Sequence, residues 1–149
     1  MMAILQIGTA PEAGTGTLDA SFRLFVRLVA VSCLIAGLQY WARLIGYSDG
    51  GLSRFDLLPH YWQFASAALS VLLPVAAVGL WMQVSWGPVI WAVAAGSEII
   101  MHKGFPLWYG ARPVLVTAHI LVAAIYIGFR IALFVKRRQD ARQVRSDSL

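Results

Sequence analysis

Between Asp56 and Glu98, residues 57–97 contain no Asp, Glu, Lys or Arg. A soluble domain needs charge over such a length to keep its surface hydrated. A helix that crosses hydrocarbon needs roughly 20 mostly apolar residues, so the run is long enough for two passes. At its middle, Gln83-Val84-Ser85-Trp86-Gly87-Pro88 supplies the turn between them. Two further apolar segments flank it, at about 22–45 and 114–135. With 59% hydrophobic and 13% charged residues, the chain is too apolar for an ordinary soluble domain.

These features predict an all-α integral membrane protein, a four-transmembrane-helix bundle with short loops. The helices are expected at about 22–45, 61–83, 87–103 and 113–136, between a flexible tail at 1–19 and a basic cytoplasmic tail at 138–149. The first residues carry no positive charge and no cleavage site follows an apolar core, so the first span is expected to serve as its own membrane signal. In the first loop, Ser53-Arg54-Phe55-Asp56 fits a capping pattern and predicts a helical turn at the outer surface, ended by Pro59.

Orientation follows from the basic residues. Arg23 and Arg27 flank the start of the first span, while Arg130, Lys136, Arg137, Arg138, Arg142 and Arg145 gather at the end of the fourth. The opposite side holds Arg43, Arg54, Lys103 and Arg112. Both termini are therefore expected in the cytoplasm. The aromatic residues agree: Tyr40, Trp41, Tyr47, Tyr61, Trp62, Trp108 and Tyr109 fall near the outer boundary, Trp81 and Trp86 near the inner one. The single cysteine, Cys33, lies mid-span and is expected to be a small buried residue.

Each predicted helix carries polar residues three or four apart, hence on one face. The first has Gln39, Arg43 and Tyr47; the second Gln63, Ser66, Ser70 and Pro74; the third Glu98 and His102; the fourth His119, Tyr126 and Arg130. Hydrocarbon rejects unsatisfied polar groups, so these faces should turn inward. Ala67, Ala94, Ala95 and Ala123 lie beside them and should permit close approach. Pro74 is expected to kink the second helix, because the carbonyl of Ser70 loses its helical donor.

A helical rise of about 1.5 Å per residue puts Gln39 roughly 9 Å below the outer boundary, and Ser66, Glu98 and His119 about 7–8 Å below it. Four helices thus bring polar residues to one intramembrane layer, flanked by Arg43 and His102. The expected structure pairs Glu98 with His119, with Gln39 and Ser66 completing the hydrogen bonds. One carboxylate and two imidazoles could in principle hold zinc or iron, but residues four apart are common by chance, and no metal or cofactor is expected. There is no Gly-rich phosphate loop, no Ser–His–Asp set in usable context and no cysteine pair, so no enzyme is expected. The basic tail reads as a topology anchor on lipid headgroups and, lacking interleaved aromatics, not as a nucleic-acid site.

The stretches Gly37-Leu38-Gln39-Tyr40-Trp41-Ala42-Arg43-Leu44-Ile45-Gly46 and Arg54-Phe55-Asp56-Leu57-Leu58-Pro59, and Trp86-Gly87-Pro88-Val89-Ile90-Trp91 followed by Glu98 and His102, resemble an uncharacterised family of small bacterial four-helix membrane proteins. The resemblance covers roughly residues 20–136 and implies a bacterial inner-membrane location and a fold, with no activity. More distantly, helix count and the Gly/aromatic character of the first helix resemble the DoxX type of membrane protein, some of which serve redox complexes. With Cys33 alone, thiol chemistry of that kind finds no dithiol here.

The functional expectation is a non-enzymatic accessory or scaffold component of an envelope complex. Its partners would be the lipid bilayer and other membrane proteins or further copies of itself. The alternative is a redox, proton or small-molecule transport component built on the Glu/His layer.

Overall fold

A computed structural model describes residues 13–47 and 58–146. Among these, every regular element is a helix: α1 (Ala13–Leu44), α2 (His60–Trp81), α3 (Gly87–Ile99), α4 (Pro106–Tyr109) and α5 (Pro113–Ser146). α3 does not stop at Ile99 but widens into a π-helical turn over Ile100–Gly104. The short α4 lies in the connection between α3 and α5. The surface turn expected around Ser53 lies outside the described residues.

The burial pattern explains the packing. On α1 the buried residues are Val26, Ala30, Cys33, Gly37 and Tyr40, a three-four alternation that forms one straight stripe. α2 buries Ser66, Leu69, Ser70, Leu73, Ala76, Ala77, Gly79 and Leu80, and α3 buries Gly87, Trp91, Ala94, Ala95 and Glu98. α1 packs most extensively on α2, and α2 on α3; α5 touches α1 and α3 more sparsely. Toward the N-terminal part of α1 the contact with α5 is aromatic: Phe22 meets Tyr126 and Phe129 at 5.8 and 5.7 Å between ring centres, and Phe25 meets Phe129.

Two close approaches set the helix spacing, and both depend on glycine. A Cβ on Gly37 would sit 2.7 Å from Cδ of Pro74, so the missing side chain lets α1 rest on the proline ring. A Cβ on Gly87 would sit 2.7 Å from the Gly79 carbonyl oxygen and the Leu80 nitrogen, so α2 and α3 meet backbone to backbone. Of the alanines expected to allow close approach, Ala94 and Ala95 are buried, Ala123 is partly buried and Ala67 faces outward.

The expected turn after α2 is present as a Schellman motif: Val84 N–H donates to Gly79 and Gln83 N–H to Leu80, each at 3.1 Å. Its left-handed position is held by a non-glycine residue, Gln83, at φ 57°. α1 ends the same way, with Gly46 at φ 72°. α2 continues as one helix past Pro74. The Ser70 carbonyl that Pro74 deprives of its N–H does not go unpaired, because the Trp41 indole of α1 donates to it at 2.9 Å. Trp41→Phe is therefore expected to destabilise the protein by about 1–2 kcal/mol, the cost of an orphaned carbonyl. Thermal unfolding in detergent checks this; an unchanged transition would mean that carbonyl finds another donor.

Among the described residues, three helices are long and apolar enough to cross a membrane, within Gly16–Leu44, His60–Trp81 and Pro113–Gln139. The segment expected to make a further pass is shorter, being α3 plus its π turn. The outer helices overrun their expected limits. α1 begins at Ala13, inside the stretch read as a loose tail, and α5 continues to Ser146, through most of the basic tail. Both overruns cost little, since each residue added to an existing helix gains a hydrogen bond. The tail is rich in Lys, Arg, Gln and Ala, all good helix formers.

Candidate functional site: a buried carboxylate shared by three helices

Glu98 is the most deeply buried ionisable side chain among the described residues, at 2% exposure. α3 delivers it between α1 and α5. Tyr40 of α1 donates its hydroxyl to Oε1 at 2.7 Å, and His119 of α5 meets Oε2 through Nε2 at 2.6 Å. One carboxylate thus ties three helices together. Among residues with described side chains, the His119 bond is the side-chain hydrogen bond that joins α5 to its neighbours.

The expected Glu98–His119 pairing is therefore present, but its third member is different. Gln39 points outward, and the neighbouring Tyr40 takes the place expected of it. Consecutive helical residues point about 100° apart, so a shift of one position separates core from lipid. A usable signal was present: Cys33 was expected to be buried, and a residue seven further on, Tyr40, shares its face.

Arg43 does not reach the carboxylate. Its guanidinium lies over the rings of Tyr40 and Trp62, 5.7 and 5.1 Å from their centres. Such stacking holds the cation at the aromatic layer where Tyr61, Trp62, Trp108 and Tyr109 contact one another. Tyr109 also donates to the Tyr61 carbonyl at 3.2 Å, which fastens α4 onto the start of α2.

Ser66 and His102 are buried to 0% and 3% exposure; Ser66, expected to complete the cluster's hydrogen bonds, does not, and His102, expected to flank the layer, turns elsewhere. His102 Nδ1 lies 2.8 Å from the Gly110 carbonyl. A carbonyl only accepts, so Nδ1 carries the hydrogen and Nε2 is left with no partner. The Ser66 hydroxyl is also unpartnered. Ser32, Ser97 and Thr117 all bond back to carbonyls of their own helices, whereas Ser66 does not. Stepping equally along both helices from the Gly79–Gly87 contact, Ser66 falls level with Ile100, between Glu98 and His102.

A cleft of about 240 Å³ opens beside the cluster, lined by Glu98 and His119 together with Val29, Leu73, Trp91 and Val122. Cys33 lines it too and is buried, as expected. No group of three or more His, Cys, Asp or Glu side chains converges to hold a metal among the described residues. His102, the third ligand such a centre would need, is turned to Gly110.

Fold and site together define an all-helical protein whose helices, three of them long and apolar enough to cross a membrane, are joined by a buried carboxylate. The chain belongs to DUF6163, a family of unknown function, which matches residues 20–137. No curated protein and no solved structure shows significant similarity to it. The family match covers α2, α3 and α4 whole and α1 and α5 over most of their lengths, so the Tyr40–Glu98–His119 cluster lies inside the shared region.

Proposed function

We propose that this chain is a four-span protein of a bacterial inner membrane, with both termini in the cytoplasm, and that it works as a non-enzymatic accessory subunit of an envelope complex. The observation that carries this reading is the spending of the cluster's polar groups on helix-to-helix bonds. Both Glu98 oxygens are taken up by the protein's own Tyr40 and His119, which is the behaviour of a structural pin. α3 with its π turn gives 18 helical residues, 87–104, about 27 Å of rise at the α-helical spacing. That is close to the roughly 30 Å of the hydrocarbon core. The outer face of α5, with Ile120, Leu121, Ile127, Ile131 and Phe134 exposed, is left for lipid or a partner helix.

Purification from the native membrane in mild detergent tests this. A companion at fixed stoichiometry, or a defined homo-oligomer, is the expected result. A lone monomer under conditions that preserve other membrane complexes would defeat the accessory reading.

A second reading, a proton path, draws on the orphaned Ser66 and His102 atoms beside Glu98. Polar groups without partners inside a span often mark ion routes. Proteoliposomes under a pH gradient are then expected to leak protons, with the leak reduced at least tenfold by His102→Phe. Flux equal to that of protein-free vesicles would remove this reading.

A further inference from the structure

We propose that the cleft between α1, α3 and α5 binds a small, membrane-dissolved molecule that presents a carbonyl oxygen on an apolar body, with His119 Nδ1 as the donor that receives it. The inference starts from proton bookkeeping at the pair. His119 Nε2 and Glu98 Oε2 lie 2.6 Å apart, so one proton sits between them. If it resides on Oε2, the neutral imidazole accepts at Nε2 and carries its own hydrogen on Nδ1. If it resides on Nε2 beside an ionised Glu98, the ring is an imidazolium with hydrogens on both nitrogens. Each form is electrically neutral as a pair, and each has Nδ1–H. A bare Nδ1 requires a net negative pair, which hydrocarbon penalises.

Nδ1–H is therefore a donor, and it has no acceptor among the described residues. The His119 side chain keeps 18% of its surface open and forms part of the cleft wall. In water that opening would be harmless. In a bilayer no solvent can satisfy the donor, so an acceptor arriving with apolar flanks is favoured. The remaining walls suit such a body: Val29, Leu73, Leu115 and Val122 are aliphatic, and Trp91 offers an aromatic face. The Ser32 hydroxyl, another polar group in the wall, is already bonded to the Leu28 carbonyl. At about 240 Å³ the space falls below the roughly 300–1,000 Å³ of sites for drug-sized ligands, so it fits a compact body. His119 lies six residues into α5 from Pro113, about 9 Å of rise. That is deeper than the ester groups of surrounding phospholipids, which points to a free molecule and not a bilayer lipid.

Benzophenone is a suitable probe, since it is a carbonyl on two apolar rings and couples to nearby C–H bonds when irradiated. The purified full-length chain in nanodiscs is expected to be labelled on the α1 and α5 peptides that carry Val29, Leu115 and Val122. Excess dicyclohexyl ketone should protect these peptides at least tenfold, and dicyclohexylmethane, which lacks the oxygen, should not. Equal protection by both would reduce the cleft to an unspecific apolar gap and overturn the proposal, as would labelling spread over the lipid-facing side of α5. Labelling should be the same in discs of ester-linked and ether-linked phospholipid. Suppression in the ester-linked discs alone would assign the cleft to bilayer lipid and overturn the free-ligand claim. Val122→Trp fills the cleft while leaving the Glu98–His119 pair in place and should cut labelling at least tenfold. His119→Phe should do the same where it folds, and persistence of specific labelling in either variant counts against the proposal. Because the chain is tested alone, these outcomes are independent of whether it has a companion in the membrane.

Discussion

Gly87→Ala is expected to destabilise the protein by about 3 kcal/mol, the upper part of the usual range for overpacking. Its new methyl would sit 2.7 Å from the Gly79 carbonyl oxygen and the Leu80 nitrogen. Both obstacles are backbone atoms inside a helix end, so neither can rotate away. α2 and α3 must separate, which would draw apart the facing rows that include Leu73, Ala76, Ala94 and Ala95. Gly96→Ala is the matched control, because a methyl there meets nothing within 4 Å. Alanine also favours the helix interior by up to about 1 kcal/mol over glycine. Equilibrium unfolding in mixed micelles should therefore show one alanine that loosens α3 and another that leaves it unchanged or firmer. A Gly87→Ala protein as stable as the parent would mean that the α2–α3 contact is wider than the structure has it.

Glu98→Ala is expected to cost about 2–4 kcal/mol, combining a cavity with two orphaned donors or acceptors. Interhelical hydrogen bonds in membranes are often worth less than 1 kcal/mol each, so one lost bond would not suffice for that figure. The larger effect is expected because the carboxylate serves Tyr40 and His119 together and is 2% exposed. Glu98→Gln separates shape from charge. Its carbonyl can accept from Tyr40 and its amide can donate to His119 Nε2, so a loss of about 1 kcal/mol or less is expected. The same micelle unfolding assay reads both variants. If Gln proves as damaging as Ala, the cluster depends on its proton and not merely on its hydrogen bonds. If Ala is harmless, Glu98 is no pin, and the accessory reading loses its main support.

The Glu98–His119 pair was legible in the sequence because depth in a membrane can be counted along the chain. Two residues at equal distance from a common boundary, on adjacent helices, have few other groups to pair with. Tyr40 was misassigned to a neighbour because rotation about a helix axis is a finer coordinate than depth, and polar residues alone fix it poorly. Gln39 has the polarity of a partner, but an outward-facing amide costs less than the loss of Tyr40 from the stripe that runs through Cys33 and Gly37. The π turn at Ile100–Gly104 has no pattern in residue type that marks it, and α4, though bracketed by Pro106 and Gly110, is too short to be told from a loop by periodicity. Trp41 was read as an interfacial aromatic, and its bond to the carbonyl freed by Pro74 depends on two helices crossing at that height.

What the sequence determines by itself is a set of helices long and apolar enough to cross a membrane, and with them the helical class. A stretch such as 57–97, without Asp, Glu, Lys or Arg, has the composition of segments that lie in hydrocarbon, where a long span must close its own backbone hydrogen bonds. Tertiary structure decided which side of each helix faces inward, which of two adjacent residues meets Glu98, and which polar atoms stay unpaired. Those outcomes follow from contacts between residues far apart in the chain, such as Gly37 on Pro74 and Gly79 on Gly87. A difference of one residue in register there turns a side chain through 100°, and no local pattern of residue types carries that information.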